Sequence, residues 1–165
     1  MWLKEMMKAS KPQKNASMLS VFYMNLDNTL FDTIQQLAEE SPRRRMHFDL
    51  RTEADPPAGI GHEQWTDQSQ RILNVMMPDT DVPIHKHSYT SETIVICRGK
   101  VRCECYDETG NKISEHILEA SGNCPGVQIP MGVYHTTRCL VPGSVIFEAK
   151  DRPYDPELTE EFLKL

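Results

Sequence analysis

The chain has 165 residues, enough for one domain with a substantial core and too few for two ordinary ones. A formal net charge of -6 and a pI near 5.5 argue against nonspecific affinity for nucleic acid or an anionic membrane, since both need a basic face to displace counterions. No apolar run approaches the roughly 18 residues that span a bilayer, and the start Met1-Trp2-Leu3-Lys4-Glu5 lacks a signal peptide's apolar stretch, so a cytoplasmic location and small-molecule chemistry are expected.

Residues 1–23 scatter lysine, methionine, serine and asparagine without a sustained period, and read as an N-terminal extension ahead of a single domain over 24–165. Asn25 or Asp27 can cap a helix that follows, because Leu30, Phe31, Ile34, Leu37 and Ala38 recur at three- and four-residue spacing and form one apolar stripe. Ser41-Pro42 stops it. Residues 54–61 hold prolines and glycines close together and read as an exposed loop.

From Gln70 onward, short runs rich in Val, Ile, Thr and Cys alternate with Pro, Gly and Asp/Asn clusters, an all-β signature. Gly99 separates two runs, Asp107-Glu108-Thr109-Gly110-Asn111 makes a hairpin loop, and Pro142-Gly143 turns the chain before Ser144. About eight to ten strands in two facing sheets close into a jelly-roll barrel, which disposes of most unpaired edges. The acidic stretch 156–162 is expected to form a short terminal helix that packs Leu158 and Phe162.

Five cysteines without a CxxC pair fit neither a disulfide framework nor a zinc knuckle, and reduced thiols are the plain reading. Cys103 and Cys105 share a strand face with Val101 as small core residues. Cys139 has the parity of His135 and Thr137 and could line the cavity they face, with packing favoured over ligation.

The most informative stretch is His85-Lys86-His87-Ser88-Tyr89-Thr90-Ser91-Glu92, answered fifty positions later by His135. In a strand, His85 and His87 emerge on one face about 6.6 Å apart at their Cα atoms, which suits two ligands on one ion. Glu92 opens a run whose even-numbered positions can face the same interior, and His135 closes the set from a distant strand beyond a Pro-x-Gly turn. One divalent metal ion per chain is therefore expected on His85, His87, Glu92 and His135. Tetrahedral zinc would be filled by these four, whereas octahedral iron, manganese or nickel would keep two open positions, and the residue types do not choose among them. His47, His62 and His116 carry no such pattern and read as surface or core histidines.

The spacing from His85 through His87 and Glu92 to Gly99, followed by Pro130-Met131-Gly132-Val133-Tyr134-His135, resembles the two motifs of the cupin superfamily, in order. Asp79 and Cys124 stand where members often have glycine, and Cys139 where the second motif commonly ends in asparagine, all turn or lining positions. Ser41-Pro42-Arg43-Arg44-Arg45-Met46, Ser69-Gln70-Arg71-Ile72-Leu73-Asn74, Cys124-Pro125 and the run Gly143 to Asp151 with Tyr154 look most like the WbuC family of cupin-fold metalloproteins. That resemblance covers the chain from about Met24 and implies a double-stranded β-helix with a short N-terminal helix, in a bacterial, cytoplasmic metalloprotein. The family's name derives from surface-polysaccharide (O-antigen) gene clusters.

In an extended segment Arg43 and Arg45 would share a face and Arg44 take the other. Because arginine-bearing segments accompany the metal motifs, a subset of Arg43, Arg45 and Arg71 is expected to bind an anionic or sugar-derived small molecule, since guanidinium forks match carboxylate and phosphate bidentately. No catalytic residue is assigned. A metal-dependent oxygenase or isomerase and a non-catalytic saccharide or carboxylate sensor both stay open, as does a homodimer, with neither nucleic acid nor membrane as a partner.

Overall fold

The structure, a computed structural model, describes residues 25–50, 69–152 and 161–163. The extension 1–23, the loop 54–61, His62 and Leu158 lie outside the described residues. Helix α1 (Asn28–Glu40) starts where the Asp27 side chain accepts a hydrogen bond from Leu30 N, and ends where Ser41 N donates to Leu37 O. Of its apolar stripe, Phe31, Ile34 and Ala38 are buried.

Ten strands follow: β1 (Arg45–Asp49), β2 (Gln70–Met76), β3 (His85–Lys86), β4 (Glu92–Arg98), β5 (Lys100–Tyr106), β6 (Lys112–Glu119), β7 (Gly126–Ile129), β8 (Tyr134–Cys139), β9 (Ser144–Lys150) and β10 (Glu161–Phe162). They form two antiparallel five-stranded sheets, ordered β1-β2-β9-β4-β7 and β10-β3-β8-β5-β6. The expected terminal helix is not what the described part of that segment forms. Glu161 and Phe162 instead pair with β3, opposite Lys86 and His85, and leave the Phe162 ring 51% exposed. Edge pairing wins there because β3 offers unsatisfied backbone groups beside the histidines.

Strand alternation sorts the core into two clusters. On β2 and β9, Leu73, Val75 and Val145 face α1 and pack with Phe31, Ile34 and Ala38. Met76 and Ile146 face the other sheet and pack with Ile94 and Ile96 of their own sheet and with Val101, Cys103, Leu118 and Cys139 across from it. The molecule is thus three layers deep: helix, first sheet, second sheet. The barrel is apolar at one end and, along the same strands, changes to Glu92, His135, Glu148 and Lys150 at the other.

Arg98 locks the helix to this frame, with Nη1 2.5 Å from Asp32 Oδ1, Nη2 2.9 Å from Gln35 Oε1 and Nε donating to Gly143 O at 3.2 Å. Gly143 has φ 71°, and a Cβ there would run into the Oε1 of that same Gln35. Gly143→Ala is therefore expected to cost about 1–2 kcal/mol, mostly left-handed backbone strain, and to lower the thermal midpoint by a few degrees. An unchanged melting curve would contradict the strained turn.

All five cysteines are thiols. Burial pushes the Cys103 thiol up to about 12, so it stays protonated and packs as a hydrophobe. Cys139 is buried in the apolar cluster with Sγ 3.1 Å from Met76 O, outside the lining of the cavity described below. No helix among the described residues is long and apolar enough to cross a membrane.

Candidate metal centre

The polar end of the barrel is assembled by register. His85 on β3 lies directly opposite His135 on β8, and Glu92 on β4 directly opposite Lys150 on β9. β3 ends at Lys86, yet His87 keeps to the same face, its ring centroid 5.1 Å from that of His85. Glu92 and His87 are 3% exposed and His135 2%, while His85 is half-buried.

One ligand-type atom from each of His85, His87, Glu92 and His135 lies within 4.8 Å of all the others. Backbone carbonyls aim two of the rings. His85 Nδ1 is 2.9 Å from Pro83 O and His135 Nδ1 is 2.9 Å from Val133 O, so each neutral ring donates its Nδ1–H there and turns an Nε2 lone pair inward. His135 Nε2 then lies 2.9 Å from Glu92 Oε2, and His87 Nε2 3.5 Å from the same oxygen. A lone pair facing a carboxylate oxygen is repulsive unless a proton or a cation stands between them. Three imidazoles and one carboxylate with those orientations fit a divalent transition ion.

The carboxylate is ionised. Burial alone would push the Glu92 carboxyl up, but the Lys150 ammonium on Oε1 and the polar contacts of His135 and His87 on Oε2 outweigh it and hold the group well below the usual carboxylate range. Lys150 Nζ is 2.5 Å from Glu92 Oε1 and 3.3 Å from Glu148 Oε2. Burial disfavours the ammonium, yet Glu148 and Glu92 more than offset this and raise it above the ordinary lysine value. Glu148 is pushed up by burial and by neighbouring Glu92, against the pull of Lys150, and its Oε1 accepts from Asn74 Nδ2 at 3.1 Å.

His85, His135, Glu92, Lys150, Glu148 and Asn74 line a small cavity that opens to solvent, with Arg45, Thr137, Met76 and Ile146 also on its wall. The three expected anion-binding arginines are treated differently by the fold. Arg45 lines the cavity, whereas Arg43 and Arg71 are exposed and absent from the cavity wall. Arg43 and Arg45 do not share a strand face either, because Arg44 takes φ 54° and the strand begins only after it. Arg44 O accepts from Met77 N at 3.0 Å and from the Thr80 hydroxyl, and its Nε is 2.9 Å from Asp79 Oδ2, so β2's exit turn holds the left-handed residue. Asp79, which stands where the cupin motif often has glycine, is thereby used to position the arginine segment.

Asn74, Glu148 and Lys150 were not singled out from the sequence. Their signal was the alternation of β9: Val145 and Phe147 on one parity against Ser144, Ile146, Glu148 and Lys150 on the other, a face too charged for a plain core. His47 and His116 are exposed on β1 and β6, away from the cluster.

A family model described as a domain of unknown function (DUF6016) matches residues 60–118, a span that includes His85, His87 and Glu92 but not His135. No curated protein matches. Among solved structures, the capsular polysaccharide assembling protein CapF from Staphylococcus aureus aligns with a TM-score of 0.52 at 21% identity, over 60% of this chain and 27% of that one. Recombinant oxalate oxidase in complex with glycolate aligns with a TM-score of 0.52 at 14% identity, over 74% of this chain and 56% of that one. The chain has the cupin fold. A variant of oxalate decarboxylase OxdC from Bacillus subtilis gives a TM-score of 0.51 at 16% identity, over 72% of this chain and 28% of that one. The chain therefore spans little more than a quarter of the CapF and decarboxylase chains.

Proposed function

We propose that this protein is a metal-dependent cupin of the WbuC type that acts on a small anionic, sugar-derived metabolite in the cytoplasm. The observation that carries the reading is the convergence of His85, His87, Glu92 and His135 beside a cavity whose wall holds His85, Glu92 and His135 together with Arg45 and Lys150. A bound ion would serve as a Lewis acid or redox centre. The chain's own groups would do the rest: Arg45 would hold the ligand's anionic end, the apolar wall of Met76, Val82, Ile94 and Ile146 would exclude water, and Lys150 would counter the charges of Glu92 and Glu148. The link to surface polysaccharide rests on the WbuC resemblance and the likeness of fold to CapF; a small carboxylate is also what the oxalate oxidase structure holds, as glycolate.

The test is a titration of carboxylates and sugar phosphates against the metal-loaded protein and its Arg45→Lys variant. Inside a cavity wall, a bidentate guanidinium contact should be worth more than an exposed pair, so Arg45→Lys should weaken binding by about tenfold although charge is kept. The exposed Arg43→Lys and Arg71→Lys should change it little. Equal affinity in the wild type and Arg45→Lys would remove the arginine from the site. Loading with Fe(II) under anaerobic conditions, followed by measurement of O₂ uptake with each ligand, separates an oxygenase from an isomerase or a sensor.

A further inference from the structure

The two oxygens of Glu92 have different neighbours. Oε2 faces the imidazoles, 2.9 Å from His135 Nε2 and 3.5 Å from His87 Nε2. Oε1 faces Lys150 Nζ at 2.5 Å. Lys150 reaches this oxygen from the directly opposed position of the neighbouring strand, and Glu148 holds the ammonium from the far side at 3.3 Å. Asn74 in turn holds Glu148. Lys150 is 8% exposed, and withdrawing it would strip two buried carboxylates of their counter-charge.

We infer that Lys150 is a positioning residue that reserves Glu92 Oε1 and so confines Glu92 to one-oxygen ligation of a metal ion through Oε2. The inference rests on the metal reading above. Carboxylates bind cations through one oxygen or through both, and the choice changes how many positions remain for other ligands. With three histidine nitrogens and one glutamate oxygen, a six-coordinate ion keeps two positions for molecules entering the cavity; with both glutamate oxygens it keeps one. Lys150 thereby sets the capacity of the site without itself binding the ion.

The experiment uses Mn(II) as the probe and reads the water-proton relaxation enhancement per bound ion. Wild type should bind one Mn(II) and show the larger enhancement. Lys150→Met frees Oε1, so one exchangeable water should be lost and the enhancement should fall by about half. Because that variant leaves Glu148 buried without a cation, the Lys150→Met/Glu148→Gln double variant is measured beside it and should show the same fall. Glu148→Gln alone keeps Lys150 on Oε1 and should retain the wild-type enhancement, which a general loosening of the network would not. Unchanged enhancement in both Lys150 variants at full occupancy, or an equal fall in Glu148→Gln, overturns the assignment. Failure of the wild type to bind Mn(II), Co(II) and Zn(II) appears at the stoichiometry step, and overturns the metal reading together with this inference.

Discussion

His135→Ala is expected to abolish stoichiometric metal binding, with affinity falling by more than about 100-fold, since even loss of an outer partner of a ligand costs 10–100-fold. His135 is 2% exposed, has its Nδ1 fixed on Val133 O, and sits opposite His85 in register, so no neighbouring side chain can replace its Nε2. His87→Ala should do the same. His116→Ala, on the exposed face of β6, should leave occupancy intact. Metal content after dialysis, with calorimetric titration of each variant, reads the result directly. Because protons compete with metal for imidazole, wild-type affinity should also decline below about pH 6. Full occupancy in His135→Ala would sink the four-residue assignment.

The second large effect concerns stability rather than binding. In the metal-free protein, Lys150→Met should cost about 3–5 kcal/mol, the usual result of removing one partner from a buried ion pair, and should lower the thermal midpoint by roughly 10 °C. Added metal should restore part of that loss, because a cation beside Glu92 supplies the missing charge. The wild-type pH profile follows from the same groups. The Glu92 carboxyl is depressed in the folded state, so its stabilisation is present above the ordinary carboxylate range and is lost as pH falls through the lower folded value. The Lys150 ammonium is raised, so its contribution is complete below the ordinary lysine value and is lost only as pH rises through the higher folded one. Denaturant titrations of the wild type and Lys150→Met across pH check both. Equal stability of the two at neutral pH would show that the buried ammonium carries no net weight.

Much of this protein is legible in the sequence because its information is local and periodic. The three- and four-residue spacing of Phe31, Ile34 and Ala38 specified a helix with one buried face, and the parity of Glu92, Ile94 and Ile96 specified which side of β4 turns inward. The same parity, with the Pro-x-Gly turn before His135, was enough to nominate the four ligands. What sequence could not supply was anything that depends on which strands become neighbours. Glu92 and Lys150 are opposed only because β4 and β9 pair, and Asn74 meets Glu148 only because β2 flanks β9. The arginines show the same limit from the other side. Alternation assigned Arg43 and Arg45 to one face, but hydrogen bonds from Met77 and Thr80, far along the chain, hold Arg44 in the left-handed region and send Arg45 alone to the cavity wall. A strand's period reports the direction of a side chain relative to its own backbone; which charge it meets is decided by sheet order and register, which tertiary packing sets.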